Sequence, residues 1–158
     1  DINQYRQQYG DQTEYDYALI DIDSPRGYSN FEINSNDKHY FVTSFDLFCL
    51  RRGLQVFKIF QTPVNVTKVL FTKDMFAPED EYLNYLSKGL KVNWNSEIVF
   101  FPFETDDLNT IYNNQKSSRI RIKGLSVQYM DSIIFLIEDF SGIQEKIIRK
   151  AVKMLEKN

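Results

Sequence analysis

The 158-residue sequence has few residues that could stabilise a fold through disulfide bonds or bound metal ions. Its single cysteine, Cys49, excludes an internal disulfide framework and any multi-cysteine metal or iron–sulfur site within one chain, and it favours a reducing, cytoplasmic setting. No apolar run is long enough to span a bilayer, and no secretory signal opens the chain. The net charge of −3 gives no overall reason to expect nucleic-acid binding.

What is present is the composition of an ordinary globular domain, with 42% apolar residues and many aromatic side chains. A chain of this length is about one domain and can bury about 70% of the surface that it exposes when unfolded. Residues 1–14 are polar and rich in glutamine, which predicts a linker or a helix end, whereas residues 15–158 are predicted to form the domain. The chain begins with Asp1, which suggests a fragment or a processed product.

Hydrophobic periodicity predicts strands that alternate with helices. The predicted strands are residues 17–22, 39–43, 67–72 and 97–101. The predicted helices are residues 45–61, 77–89, 105–113, 127–140 and 143 to the end, and the basic stretch 116–124 is predicted to be irregular. Alternating strands and helices predict βαβ units, and therefore an α/β fold with a mostly parallel sheet flanked by helices.

Residues 15–27, YDYALIDIDSPRG, have the pattern of a buried strand that ends in acidic residues and enters a turn. In nucleotide hydrolases, a strand of this kind ends beside a magnesium-bound phosphate. A phosphate also needs a cradle of backbone N–H groups at a helix start, and the sequence has no glycine-rich loop with lysine to supply one. The chain therefore contains only one half of such a site.

Four segments carry a resemblance when taken in order: YDYALIDIDSPRG, YFVTSFDLFCLRRGLQVFKIF, KVLFTKDMFAPEDEYLNYL and VFFPFETDDLNTIYNNQ. They resemble the second half of the MinD/ParA-type P-loop ATPases, and most of all their TadZ/CpaE pilus-positioning branch. The resemblance covers about residues 15–157 and implies a P-loop NTPase fold whose first half, with the phosphate loop, is not in this chain. It implies a switch that dimerises with ATP and Mg²⁺ to position a pilus, a flagellum, a septum or a plasmid.

On this resemblance Asp21 would be the metal-side and catalytic carboxylate, and Asp23 would be the switch residue. Two alignments of the strand end differ by two residues, but residues two apart on a strand share a face, so both side chains could point toward one phosphate. The alternative is that Asp21 and Asp23 only bond the backbone of their own turn.

The resemblance also places the nucleotide base against Thr72, Pro102, Phe103 and Glu104. Family members usually carry asparagine where this chain has Thr72, and a hydroxyl reads a base edge less well than an amide. Phe103 would either stack on the base or pack in the core. The change at Thr72 and the missing loop leave a second hypothesis open, a non-catalytic scaffold that binds partners or dimerises. A third is an amidotransferase-linked ligase.

Two basic segments have alternative interpretations. The terminal helix 143–157 is amphipathic, and it either lies on the inner face of an anionic membrane or, as we favour, packs on the sheet with solvated lysines. Residues 116–123 either bind DNA or, as we favour, form a solvated edge strand, so nucleic acid is not expected as a partner. The expected partners are a second copy of the chain and a protein of a positioning or secretion system. Cys49 is expected to be a buried small side chain.

Overall fold

The computed structural model describes residues 8, 10, 15–22, 37–44, 46–72, 77–102 and 104–156. Within these residues, three strands alternate with helices, and two further helices close the chain. The elements are β1 (Tyr40–Ser44), α1 (Leu47–Leu54), a 3₁₀ turn (Gln55–Lys58), β2 (Val64–Thr72), α2 (Ala77–Leu86), β3 (Val92–Pro102), α3 (Thr105–Ser117), α4 (Val127–Ser141) and α5 (Glu145–Leu155).

The three strands form one parallel sheet in the order β1-β2-β3. Each strand lies beside the next one in the sequence, and each connection contains a helix. Crossover connections between parallel strands have a fixed hand. Because both connections step in the same direction across the sheet, α1 and α2 lie on the same face of it. The predicted α/β fold with a parallel sheet is confirmed.

One core lies between the sheet and the pair α1 and α2. Even-numbered residues of β2 point to this face, since side chains alternate along a strand. The buried members of this core are Leu50, Leu54, Phe57, Val66, Leu70 and Leu83. Gly53 is required here, because a Cβ atom at that position would lie 2.9 Å from the ring of Phe41. The aromatic ring therefore packs directly against the backbone of α1.

The opposite face of the sheet is covered by α4, with Ile111 of α3 packed beside it. Val69, Val99, Phe101 and Tyr129 form this second buried cluster, in which the ring of Phe101 stacks on Phe71 and meets Tyr129 edge-on. Tyr129 lies near the start of α4, over the end of β3, whereas the end of α4 lies over the start of β1, where Asp139 contacts Tyr40. The helix therefore runs antiparallel to the strands.

Two caps fix the ends of α4. Ser126 accepts a hydrogen bond from the Tyr129 N–H, and Asp107 accepts bonds from the Ser126 N–H at 2.6 Å and from its hydroxyl at 2.9 Å. Gly142 ends the helix with φ = 69°, a conformation that favours glycine because it has no Cβ atom. The break predicted at Gly142 is confirmed, and α4 is thereby joined to α3 at one end and turned into α5 at the other.

The structure corrects five predictions. Residues 17–22 form no strand, because the backbone there pairs with no strand of the described sheet. The helix predicted over 45–61 is α1 followed by a 3₁₀ turn, and β3 begins five residues before the predicted strand 97–101. The side chain of Cys49 is exposed, because it lies on the outer side of α1. Residues 119–122 form no edge strand, and residues 1–14 lie almost entirely outside the described residues.

Candidate functional site

The carboxyl edge of the sheet brings two of the predicted base-binding residues together. Thr72 and Pro102 are register partners at the ends of β2 and β3. Pro102 is buried, and Glu104 is exposed at the start of α3, where its side chain caps no backbone N–H group. Thr72 is described by its backbone alone, and Phe103 lies outside the described residues. The edge therefore has the expected strand ends without a described side chain that reads a base.

Of the acidic half of the predicted site, the structure describes only Asp21. Asp21 is exposed and lies in an irregular stretch, so it does not cap a strand, and Asp23 lies outside the described residues. Asp46, which follows β1, is occupied as the cap of α1, where its carboxylate accepts a 2.7 Å hydrogen bond from the Cys49 N–H. That bond lowers the pKa of Asp46.

The described residues contain no cluster that would bind a metal ion through protein ligands alone. Divalent magnesium is held by carboxylate and other oxygen ligands in near-octahedral geometry. Over the described ranges there is no group of three or more histidine, cysteine, aspartate or glutamate residues that could hold a metal ion.

The apolar segment 15–22 is attached to the end of α4 and not to the sheet. The hydroxyl of Tyr17 donates a 2.9 Å hydrogen bond to the carbonyl of Ser141, and its ring meets Phe140 edge-on at 5.7 Å between centroids. Beyond this anchor the side chain of Leu19 is 80% exposed. An apolar pattern indicates that a segment is partly buried but not which element it packs against. The sequence therefore predicted a buried strand here, whereas the segment contacts α4.

The outer edge of β1, like that of β3, is open in the described sheet. The other edge of β1 pairs with β2 from Tyr40 to Ser44, whereas no described strand pairs with the outer edge. The Val42 side chain points to the α4 face and remains 62% exposed. Parallel sheets are normally covered on both faces, so this valine marks a surface that the described residues leave open.

A charged cluster lies at the amino end of β1. Lys38 forms a 2.7 Å ion pair with Asp139, and the hydroxyl of Tyr40 donates a hydrogen bond to the same carboxylate. Burial raises the pKa of Tyr40, and the bond to Asp139 raises it further. Burial also raises the pKa of Asp139, but the bonds from Lys38 and Tyr40 outweigh this and lower it below its usual value. The cluster fixes the end of α4 to the sheet.

Sequence reasoning missed a buried polar network on the opposite face. Lys68 is only 3% exposed, and its ammonium group donates a 2.8 Å hydrogen bond to the Asn84 side chain and lies 5.3 Å from the centre of the Trp94 ring. The Trp94 N–H donates to the Ser87 hydroxyl at 2.8 Å. Lysine is almost never fully buried unless it is paired, and the local pattern KVLF does not reveal the partner sixteen residues away.

The terminal helix α5 packs on α4, so the prediction that it packs on the sheet is wrong. Ile148 is buried in this contact at 6% exposure, while Arg149 bridges Asp131 and Glu145. Part of its apolar side remains in solvent, namely Ile147, Met154 and Leu155. Among the residues that the structure describes, no helix is both long and apolar enough to cross a membrane.

Comparison of the chain with protein-family models, with curated proteins and with solved structures found no match.

Proposed function

We propose that this chain is a non-catalytic scaffold, a partner-binding module built on a MinD/ParA-like sheet. The observation that carries the proposal is the open outer edge of β1, where Val42 is 62% exposed on a parallel strand. A strand at a sheet edge presents unpaired N–H and C=O groups, which are a template for an added strand. The absence of a described carboxylate that caps a strand argues in the same direction.

The partner's chemistry follows from the surface. Val42 lies between Tyr40 and Ser44 on one face of β1, and the segment 15–22, which is anchored at Tyr17, leaves Leu19 in solvent as well. An extended partner segment would satisfy the edge backbone, and its apolar side chains would cover Val42. The module therefore selects a protein partner through an apolar β-strand, as a component of a positioning or secretion system would.

The experiment uses a synthetic hexapeptide of alternating valine and threonine as the probe, followed by amide chemical shifts. We expect shifts confined to β1 and its neighbours, and loss of binding in Val42→Lys. Val127→Lys is the matched control, because Val127 is 77% exposed on α4 and lies away from the edge. A version of the peptide with alternate amides methylated should not bind. Shifts that persist in Val42→Lys, or that centre elsewhere, would refute the proposal. Self-association that Val42→Lys abolishes would make a second copy the occupant.

A second candidate function is the nucleotide-dependent switch, and the register pairing of Thr72 with Pro102 favours it. In this reading the chain supplies the base side of an ATP site, and another segment supplies the phosphate loop. This chain alone is then expected to hydrolyse no ATP above background, since nothing in its sequence cradles the β- and γ-phosphates. The test is phosphate release with ATP and Mg²⁺. Both candidate functions predict no turnover from this chain alone, so turnover that is lost in Asp21→Ala would refute this expectation and the scaffold proposal together.

A further inference from the structure

The structure assigns a second interaction surface, at which the basic segment of one copy binds an acidic groove on another copy of the same chain. We call residues 119–123 the basic arm, and the depression along the outer side of β3 the β3 groove. This contact rests on the proposed function only in treating the chain as an assembly module. It uses the β3 edge of the sheet, whereas the proposed function uses the β1 edge, so one contact can fail while the other is kept.

The basic arm is held in shape although its side chains lie in solvent. The Asn114 side chain brackets the backbone of Arg121, donating to its carbonyl at 2.7 Å and accepting from its N–H at 3.0 Å. Gly124 closes the segment with φ = 104°, and a Cβ atom there would lie 2.8 Å from the Thr110 hydroxyl. An arm fixed in this way loses little conformational entropy when it binds.

The arm exposes apolar and basic side chains together. Ile120 is 94% exposed, the largest exposure among the exposed large apolar side chains of the described residues. Arg119, Arg121 and Lys123 surround it and are exposed too. Within the described ranges none of these three cations forms an ion pair. An isoleucine flanked by unpaired cations suits a partner surface with an apolar floor and an acidic rim.

The β3 groove has such a surface. It has a volume of about 500 Å³ and lies between β3, α4 and α5. Ile134 and Phe135 contribute to its apolar floor, and Phe135 is 38% exposed there. Its acidic residues are Glu97, Asp131, Glu138 and Glu145, with Arg149 as its cation.

Two carboxylates of the groove accept hydrogen bonds within the chain, Glu97 from the Ser96 hydroxyl and Glu138 from the Glu145 N–H, both at 3.2 Å. Each carboxylate has further lone pairs with which it can bind a partner. Arg149 is already occupied, with 2.8 Å and 2.6 Å bonds to Asp131 and Glu145. Glu97 and Glu138 form no ion pair with any cation in the described part of the chain. Both also line an adjoining cavity of about 460 Å³, so they lie where two depressions meet. Ile120 of a second copy would cover the floor at Phe135, while its arginines pair with these two carboxylates.

Charge complementarity identifies the occupant as a second copy. Because each chain carries both the basic arm and the acidic groove, a contact between two copies pairs each surface with one of opposite charge. The contact also predicts a strong salt dependence, because its ion pairs lie at the rim. Where each copy offers its arm to the other, the contact closes as a two-fold dimer.

The experiment is a charge swap followed by sedimentation velocity. The arm variant carries Arg119→Glu and Arg121→Glu, and the groove variant carries Glu97→Lys and Glu138→Lys. We expect the natural chain to self-associate at low salt, and each variant alone to associate at least about tenfold more weakly, since like charges then face each other. An equimolar mixture should associate again, because every arm then meets a groove of opposite charge.

Matched controls separate this contact from general charge effects. Lys116→Glu and Glu156→Lys reverse exposed charges outside the arm and the groove, and both should associate as the natural chain does. Circular dichroism checks that every variant is folded. Val42→Lys should leave this association unchanged. The variant therefore distinguishes failure of the contact between copies from failure of the proposed function. A natural chain that stays monomeric, or a mixture of folded variants that does not associate, would overturn the inference. The inference would also be overturned if the arm variant lost binding to duplex DNA but kept its self-association.

Discussion

The sharpest stability prediction concerns Asp107, a carboxylate that is 0% exposed. It lies in the first turn of α3 and accepts two hydrogen bonds from Ser126, the residue that caps α4. Asp107→Ala removes both bonds and leaves the Ser126 N–H inside the protein without its acceptor. Because α4 covers one face of the sheet and lines the β3 groove, this junction holds the second half of the fold in place.

The magnitude follows from those two bonds. A hydrogen bond to a charged group contributes about 1.5–3 kcal/mol, so two contribute about 3–6 kcal/mol. Water that enters the space left by the side chain recovers part of this, so we expect Asp107→Ala to lower the free energy of unfolding by about 3 kcal/mol. For a chain of this size the midpoint of thermal unfolding should fall by about 6–12 °C.

The measurement is urea unfolding followed by circular dichroism, with Asp106→Ala as the matched control. Asp106 lies in the same first turn of α3 but is exposed, so its loss removes only the interaction with the helix dipole, about 0.5 kcal/mol. If Asp107→Ala and Asp106→Ala differ by less than about 0.5 kcal/mol in unfolding free energy, the junction does not hold α4 as argued.

Three further predictions concern ionisable groups and the terminal helix. The pKa of Asp139 is lowered in the folded chain, so its stabilisation is present above an unfolded pKa of about 3.9 and is lost as pH falls through the folded value. The stability difference between the natural chain and Asp139→Asn should therefore shrink below about pH 4 in urea titrations, and a constant difference would contradict this. The hydrogen bond that the exposed Cys49 thiol donates to Asp46 raises the pKa of the thiol. Asp46→Ser keeps a helix cap and should therefore speed alkylation by iodoacetamide at pH 8, whereas an unchanged rate would exclude the bond as the cause. If the last helix is a membrane anchor, deletion of residues 142–158 abolishes sedimentation with anionic liposomes and leaves the fold intact. Because Ile148 is buried against α4, we instead expect the deletion to destabilise the chain, as unfolding would reveal.

Some outcomes were predictable because they depend on short-range patterns. Leu50, Leu54 and Phe57 recur at helical spacing, and they are buried on one side of α1 and its 3₁₀ turn. Gly142 separates two amphipathic runs, and it adopts the conformation that ends α4. The alternation of strands with helices predicted a parallel sheet, since parallel neighbours need a long crossover.

The candidate site was harder to predict because it depends on neighbours distant in sequence. Asp107 and Asp106 are adjacent and chemically identical, yet only Asp107 meets Ser126 nineteen residues later. The residues next to Lys68 in the sequence do not indicate that its hydrogen-bond partner is the Asn84 side chain. Thr72 and Pro102 were paired by resemblance, and the structure brings their backbones into register, while it leaves Asp21 exposed.

The sequence by itself determined that strands alternate with helices and which side of α1 is apolar, because these depend on spacings of two to four residues, whereas it misplaced the start of β3 and the end of α1. Only the tertiary structure decided which segment has a partner. The apolar run 17–22 lies outside the sheet, the outer edge of β1 stays open at Val42, and carboxylates gather beside β3. A hydrophobic pattern states that a surface must be covered, whereas packing alone determines what covers it.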